Sequence, residues 1–156
     1  MAKGTTKDFK KALYWYEKVA FQGEDDIQYK VGKMYEEGIG VEKDVAQALY
    51  WYKKAGNQGN EDVMFDFELL LPQEEDLFAA GSVAYQLEDY SCALEFFEEV
   101  AQIGNSNAQY ICGVMYLKGE GTEVQEAKAL YWLEESRNQG NKSAKELLDA
   151  LGRSLK

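Results

Sequence analysis

Two thiols and several runs of carboxylates are the side chains with the most capacity for chemistry in this 156-residue sequence. A cysteine nucleophile needs a base or a cation that holds it as thiolate. Histidine is absent, which removes His-based triads and His-ligated metals. No lysine or arginine shares an evident helix face with Cys92 or Cys112. The acids come as Glu24-Asp25-Asp26, Glu61-Asp62, Glu74-Glu75-Asp76, Glu98-Glu99 and Glu134-Glu135. Several of these runs fall where helices should start, where the helix dipole favours negative charge. The others read as solvated faces. None has the alternate-position oxygens of a Ca²⁺ loop. The Gly-x-Gly turns lack the lysine and Ser/Thr of a phosphate loop and precede no strand. These features predict no catalytic residue, no cofactor and no metal. A hydrolase is kept only as a minor alternative.

The aromatic residues are spaced by a repeat. Ala-Leu-Tyr-Trp occurs at Ala12–Trp15, Ala48–Trp51 and Ala129–Trp132, and Ala93-Leu94-Glu95-Phe96 keeps its shape. Residues 29–60 and 110–141, offset by 81 positions, agree at about half of their positions. The matches include Tyr29/Tyr110, Gly32/Gly113, Met34/Met115, Tyr35/Tyr116, Gly38/Gly119, Gly40/Gly121 and the closing Gln58-Gly59-Asn60/Gln139-Gly140-Asn141. At the same offset Cys112 aligns with Val31, as a small core residue would.

Each unit reads as two helices. Tyr29, Gly32 and Tyr35 lie on one helical stripe. Gly32 in mid-helix should cost ~1 kcal/mol relative to alanine. Its recurrence as Gly113 predicts a neighbouring helix too close for a Cβ. Gly38-Ile39-Gly40 closes the first helix, Asp44 caps the second, and Val45, Ala48, Leu49, Tyr52 and Ala55 build its apolar face. Asn60 is placed to cap the next helix. The pattern predicts helices near 7–22, 26–37, 44–58, 62–71, 74–88, 90–103, 106–118, 125–139 and 142–153. Trp15, Trp51 and Trp132 are expected to pack between helices with Tyr35 and Tyr116, while Tyr50 and Tyr131 are expected to be partly exposed. The segment 61–73 looks like a first helix without a second, stopped by Pro72. Either a repeat has decayed there, or a kink shapes a binding groove. The simpler, decayed-repeat reading is preferred.

Acids number 28 against 17 bases, a formal net charge of −11. That field repels nucleic acid and anionic membranes, so neither is an expected partner. The start, MAKGTTKDFKK, has no apolar core of a signal peptide, and no stretch reaches the ~18 apolar residues of a membrane span. Two cysteines are too few for a disulfide framework. A soluble, cytoplasmic protein with reduced thiols is the expectation.

The pattern Tyr-x-x-Gly-x-x-Tyr-x-x-Gly-x-Gly, followed by Ala-Leu-Tyr-Trp-Tyr and Gln-Gly-Asn, resembles the Sel-1-like repeat, a relative of the tetratricopeptide repeat. The resemblance implies an all-α fold, a right-handed α-α superhelix built from helix hairpins. It divides a single domain, 1–156, into a half repeat at 7–23, a repeat at 24–60, a degenerate half repeat at 61–73, a short repeat at 74–105, a repeat at 106–141 and a C-terminal capping helix at 142–156. In tetratricopeptide-type folds the concave wall is formed by first-helix residues flanking the glycine. Carried onto this sequence, that wall is Asp26, Tyr29, Lys33, Glu36 and Glu37; then Phe78, Ser82, Tyr85 and Gln86; then Asn107, Tyr110, Val114, Leu117 and Lys118. Aromatic, apolar and acidic groups together suit a protein or peptide partner with basic character. The resemblance implies a non-catalytic adaptor or scaffold. An immunity-type protein that neutralises a basic toxin is the alternative. Oligomeric state is not legible.

Overall fold

The computed structural model describes residues 6–154. Among them are nine α-helices and no strand: α1 (Thr6–Ala20), α2 (Asp25–Glu37), α3 (Val45–Asn57), α4 (Glu61–Leu69), α5 (Glu74–Gln86), α6 (Tyr90–Ile103), α7 (Ser106–Lys118), α8 (Glu126–Asn138) and α9 (Lys142–Ser154). The helix count and order match the expectation from the sequence. Residues 155–156 of the expected capping helix lie outside the described residues.

The chain forms two compact units, Met1–Val83 and Ala84–Lys156. In the first, α1 packs on α2, α2 on α3 and α3 on α4; in the second, α6 packs on α7, α7 on α8 and α8 on α9. The core of the first unit is Val31, Ala48, Leu49, Trp51, Tyr52, Ala55 and Val63. Phe96, Phe97, Val100, Ala108, Cys112, Met115 and Leu133 fill the second.

Caps and turns set the helix ends. Asp44 accepts from the Gln47 backbone N–H at 3.1 Å, and Asn60 accepts from that of Val63 at 3.4 Å. In the second unit Asn105 and Asn141 accept from Ala108 and Ala144 at 2.9 and 3.0 Å. Gly40 and Gly121 adopt φ of 76° and 80°. A Cβ there would lie 2.6 Å from the Phe9 backbone and 2.4 Å from that of Tyr90. Both the left-handed conformation and the close approach therefore require glycine.

Several helices, α4 and α5 among them, stop short of their predicted ends. α4 ends at Leu69, and Leu71, just before Pro72, takes φ of 43°. The proline ring crowds the preceding residue out of the α region, so the helix cannot run to it. α5 ends at Gln86, and Glu88 turns left-handed at φ 60° to enter α6.

The irregular segment has a legible cause. Gly32 and Gly113 each stand eight residues after the N-cap of their helix, and the equivalent position of α4 is Glu68. A side chain there bars the close crossing that α2 makes with α3. α4 has the register of a first helix and exposes Met64, Phe65 and Leu69.

Candidate functional site

On α2, Tyr29, Lys33 and Glu36 share one face because three- and four-residue steps align on a helix. The fold gathers them with two residues from other helices. The Tyr29 hydroxyl donates to Asp66 of α4, and the Tyr52 hydroxyl of α3 donates to Glu36. Lys33 Nζ lies 3.5 Å from both Asp66 and Glu36 and 4.0 Å from Glu37. The Tyr29 and Tyr52 rings tilt against each other with centroids 5.7 Å apart. Asp26 is exposed at the start of α2 and accepts from Asn60 Nδ2 at 3.4 Å. Lys33 is thus already matched by carboxylates, and the surface around it is acidic.

The electrostatics follow from that crowding. Hydrogen bonding to Asp66, burial and nearby carboxylates push the Tyr29 phenol up to about 12. Burial first, then the bond to Glu36, drives Tyr52 further in the same direction. Burial alone would lower the Lys33 ammonium, but Glu36 and Asp66 hold it above its ordinary value. Each of these groups therefore stays in its neutral-pH form.

Sequence reasoning missed Tyr52 and Asp66. Tyr52 is fully buried, so its position reads as core, and only its hydroxyl reaches the wall. Asp66 falls in the irregular segment, outside the repeat register. Its one signal is an acid enclosed by the apolar run Val63, Met64, Phe65 and Phe67.

The α7 wall uses the same framework with different chemistry. Tyr110 repeats Tyr29, but Val114 stands where Lys33 does, Leu117 where Glu36 does and Lys118 where Glu37 does. Leu133 replaces Tyr52, and Leu147 on α9 replaces Asp66. Tyr110, Val114 and Leu117 are half-buried, while Asn107 and Lys118 are exposed. Asn107 accepts from Asn141 Nδ2 at 3.3 Å, and Lys118 Nζ is 4.0 Å from Glu120. The apolar side chains expected here in a solvated wall are thus partly covered.

On α5 the predicted residues divide. Phe78 and Ser82 belong to the first unit, and the Ser82 hydroxyl donates to the Phe78 carbonyl of its own helix at 3.1 Å. Tyr85 belongs to the second and donates to Glu120 at 3.0–3.1 Å. Burial leads the causes that raise the Tyr85 phenol, followed by the Glu120 bond. Gln86 is exposed.

Outside the walls the tryptophans need correction. Trp51 is 1% exposed, with Phe21 set edge-on at 4.8 Å. Trp15 is 61% exposed, beside Tyr14 and Lys18. Trp132 is half-buried, because Gln102 stands where Phe21 does. Tyr131 is exposed as expected, whereas Tyr50 is buried. Both make the same edge contact with the adjacent tryptophan at 5.0 Å, so burial of Tyr50 comes from outside that ring pair. Burial raises the Cys112 thiol to about 12, which keeps it protonated and unsuited to nucleophilic work.

Two buried glutamines, also missed, fasten each repeat to the one before it. Gln28 donates to the Ala20 carbonyl at 3.0 Å, and Gln109 to that of Ala101 at 3.1 Å. Gln58 and Gln139 of the closing motif donate to those glutamines at 2.6 Å. Their common offset of 81 positions was the available signal.

Comparison with known proteins agrees with this architecture. The Sel1 repeat family matches residues 2–23, 26–60 and 106–141. A Sel1 repeat protein of Oxalobacter formigenes, known from its crystal structure, is 28% identical and superposes with a TM-score of 0.51, covering 92% of this chain and 49% of its own. The chain therefore spans about half the length of that protein. A protective antigen present in uropathogenic Escherichia coli strains, displaying an SLR fold, is 32% identical over 86% of this chain and 27% of its own, with a TM-score of 0.45. Among curated proteins none matches. The longest segment left unmatched by the family, from 61 to 105, holds α4, α5 and α6. With three matched segments spanning more than half of its residues and a helix-pair architecture to suit them, the chain belongs to the Sel1 repeat family.

Proposed function

We propose that this protein is a non-catalytic adaptor that holds a partner protein through the first-helix walls of its repeats. One observation supports this most: two near-identical frameworks present different surfaces at equivalent positions. Lys33, Glu36, Tyr52 and Asp66 in one unit correspond to Val114, Leu117, Leu133 and Leu147 in the other. Packing alone would keep such positions alike, as it does Gly32/Gly113 and Tyr35/Tyr116. The acidic α2 wall suits basic side chains, and the half-buried α7 wall suits apolar ones. A protein that offers basic and apolar side chains is the partner class. No helix among the described residues is long and apolar enough to cross a membrane, and a cytoplasmic setting suits the two free cysteines.

Affinity capture with mass spectrometry tests this. Wild type is compared with Val114→Lys/Leu117→Glu, which gives α7 the residues that the α2 framework already accommodates. The double variant should keep its helical circular dichroism and lose the partner captured by wild type. Undiminished capture of the same partner would place recognition elsewhere.

A further inference from the structure

The second unit contains a cleft outside the first-helix walls. Its volume is about 340 Å³, and its lining includes Gln102, Gln109, Tyr131, Trp132, Glu135 and Gln139. Steps of three and four residues put Tyr131, Trp132 and Glu135 on one face of α8. The first unit shows what this place looks like when filled. There Phe21 stands where Gln102 does and covers Trp51 edge-on at 4.8 Å. Lys54 stands where Glu135 does. In the second unit the covering ring is gone, the indole is half-buried, and the charge is reversed.

Charge and shape select the occupant. Tyr131 and Trp132, set edge-to-face at 5.0 Å, form an aromatic wall. Glu135 stands beside it and makes no ion pair among the described residues; the one arginine on its helix, Arg137, pairs with Glu134. Buried Gln109 is already satisfied by Ala101 and Gln139, so it does not compete for the ligand. No lysine or arginine lines the cleft. An aromatic face with an adjacent carboxylate attracts a cation, and a planar guanidinium can stack on the indole while its N–H groups reach the carboxylate. We propose that this cleft receives an arginine side chain of a partner protein. The proposal does not depend on the role of the α2 and α7 walls.

The test uses the whole chain labelled with ¹⁵N, whose three tryptophans give three indole resonances, with Trp132→Phe to assign the third. The probe is the capped tripeptide acetyl-Gly-Arg-Gly-amide, with the Glu and Phe analogues as controls. The Arg peptide should shift the Trp132 indole saturably in the millimolar range and leave buried Trp51 unmoved. Glu135→Gln should weaken that binding roughly fivefold, as loss of an exposed ion pair predicts. Glu135→Lys, which restores the residue of the first unit, should abolish it. Gln102→Phe should abolish it by filling the cleft. Circular dichroism checks that each variant is folded, and Glu135→Gln, at a partly exposed position, keeps the test open if Gln102→Phe does not fold. An unshifted Trp132, equal shifts with the Glu peptide, preference for the Phe peptide, or full affinity in Glu135→Gln would each overturn the proposal.

Discussion

Gly32 lies directly beneath the ring of Tyr52: a Cβ added to the glycine would meet the Cδ1 and Cε1 atoms of that ring at 2.5 Å. Gly113 has the same relation to Leu133, at 2.6 Å. A buried phenol whose hydroxyl is tied to Glu36 has little room to retreat. Gly32→Ala should therefore destabilise by ~1 to 3 kcal/mol through overpacking, despite alanine's better helix propensity. Gly152 on α9 meets nothing within 4 Å. Gly152→Ala should stabilise by ~0.5 to 1 kcal/mol. Urea denaturation of the two variants gives opposite signs if the crossing is as close as described.

Trp51 separates size from polarity. It is 1% exposed, yet its indole N–H has no hydrogen-bond partner among the described residues. Trp51→Ala should cost ~3 to 5 kcal/mol, the range for a lost core aromatic. Trp51→Phe keeps most of the ring and removes an unsatisfied donor whose burial carries a penalty of ~1 to 3 kcal/mol. Its cost should stay below ~1.5 kcal/mol. Equal losses in the two variants would show that the N–H is satisfied in solution.

Tyr29 links the wall to pH. Its phenol is raised from 10.0 to about 12 in the folded protein. A group with a raised folded value contributes stability that is complete below its unfolded value and fades as pH climbs through the folded one. The contribution is therefore intact below pH 10 and lost toward pH 12. Tyr29→Phe should flatten part of the fall in stability across that window and leave the curve at neutral pH nearly parallel to wild type. An unchanged alkaline slope would mean that Tyr29 and Asp66 are not bonded in solution.

The framework was readable because packing is periodic. Glycines at helix crossings, asparagine caps and the Gln-Gly-Asn closure recur at one offset, and each recurrence reflects the same contact made twice. The walls were only half readable. Tyr29 and Tyr110 could be placed by register, but Asp66 comes from a helix with Glu68 where the others have the crossing glycine, so register says nothing about it. Tyr52 was hidden for another reason. A residue can be core by its ring and wall by its hydroxyl, and hydrophobic patterning reports only the ring. Trp15 and Trp132 show the converse: the motif fixes where an indole sits, while its exposure depends on whether a partner such as Phe21 reaches it.

Lys33 is the ammonium that holds the α2 wall together. It lies within 4.0 Å of Glu36, Glu37 and Asp66. Replacing it with methionine keeps the length of the aliphatic stem and helix propensity but leaves those carboxylates facing one another. Exposed single pairs are worth ~0 to 1 kcal/mol, so a lysine shared among several should fall near the top of that range. Lys33→Met should thus destabilise by ~1 kcal/mol at low ionic strength. The deficit should shrink with added salt, because screening falls to ~3 Å at 1 M and weakens the repulsion left behind. Denaturation midpoints at two salt concentrations decide it. A variant as stable as wild type, or a deficit that grows with salt, would mean that Lys33 points into solvent and that the acidic wall is organised without it.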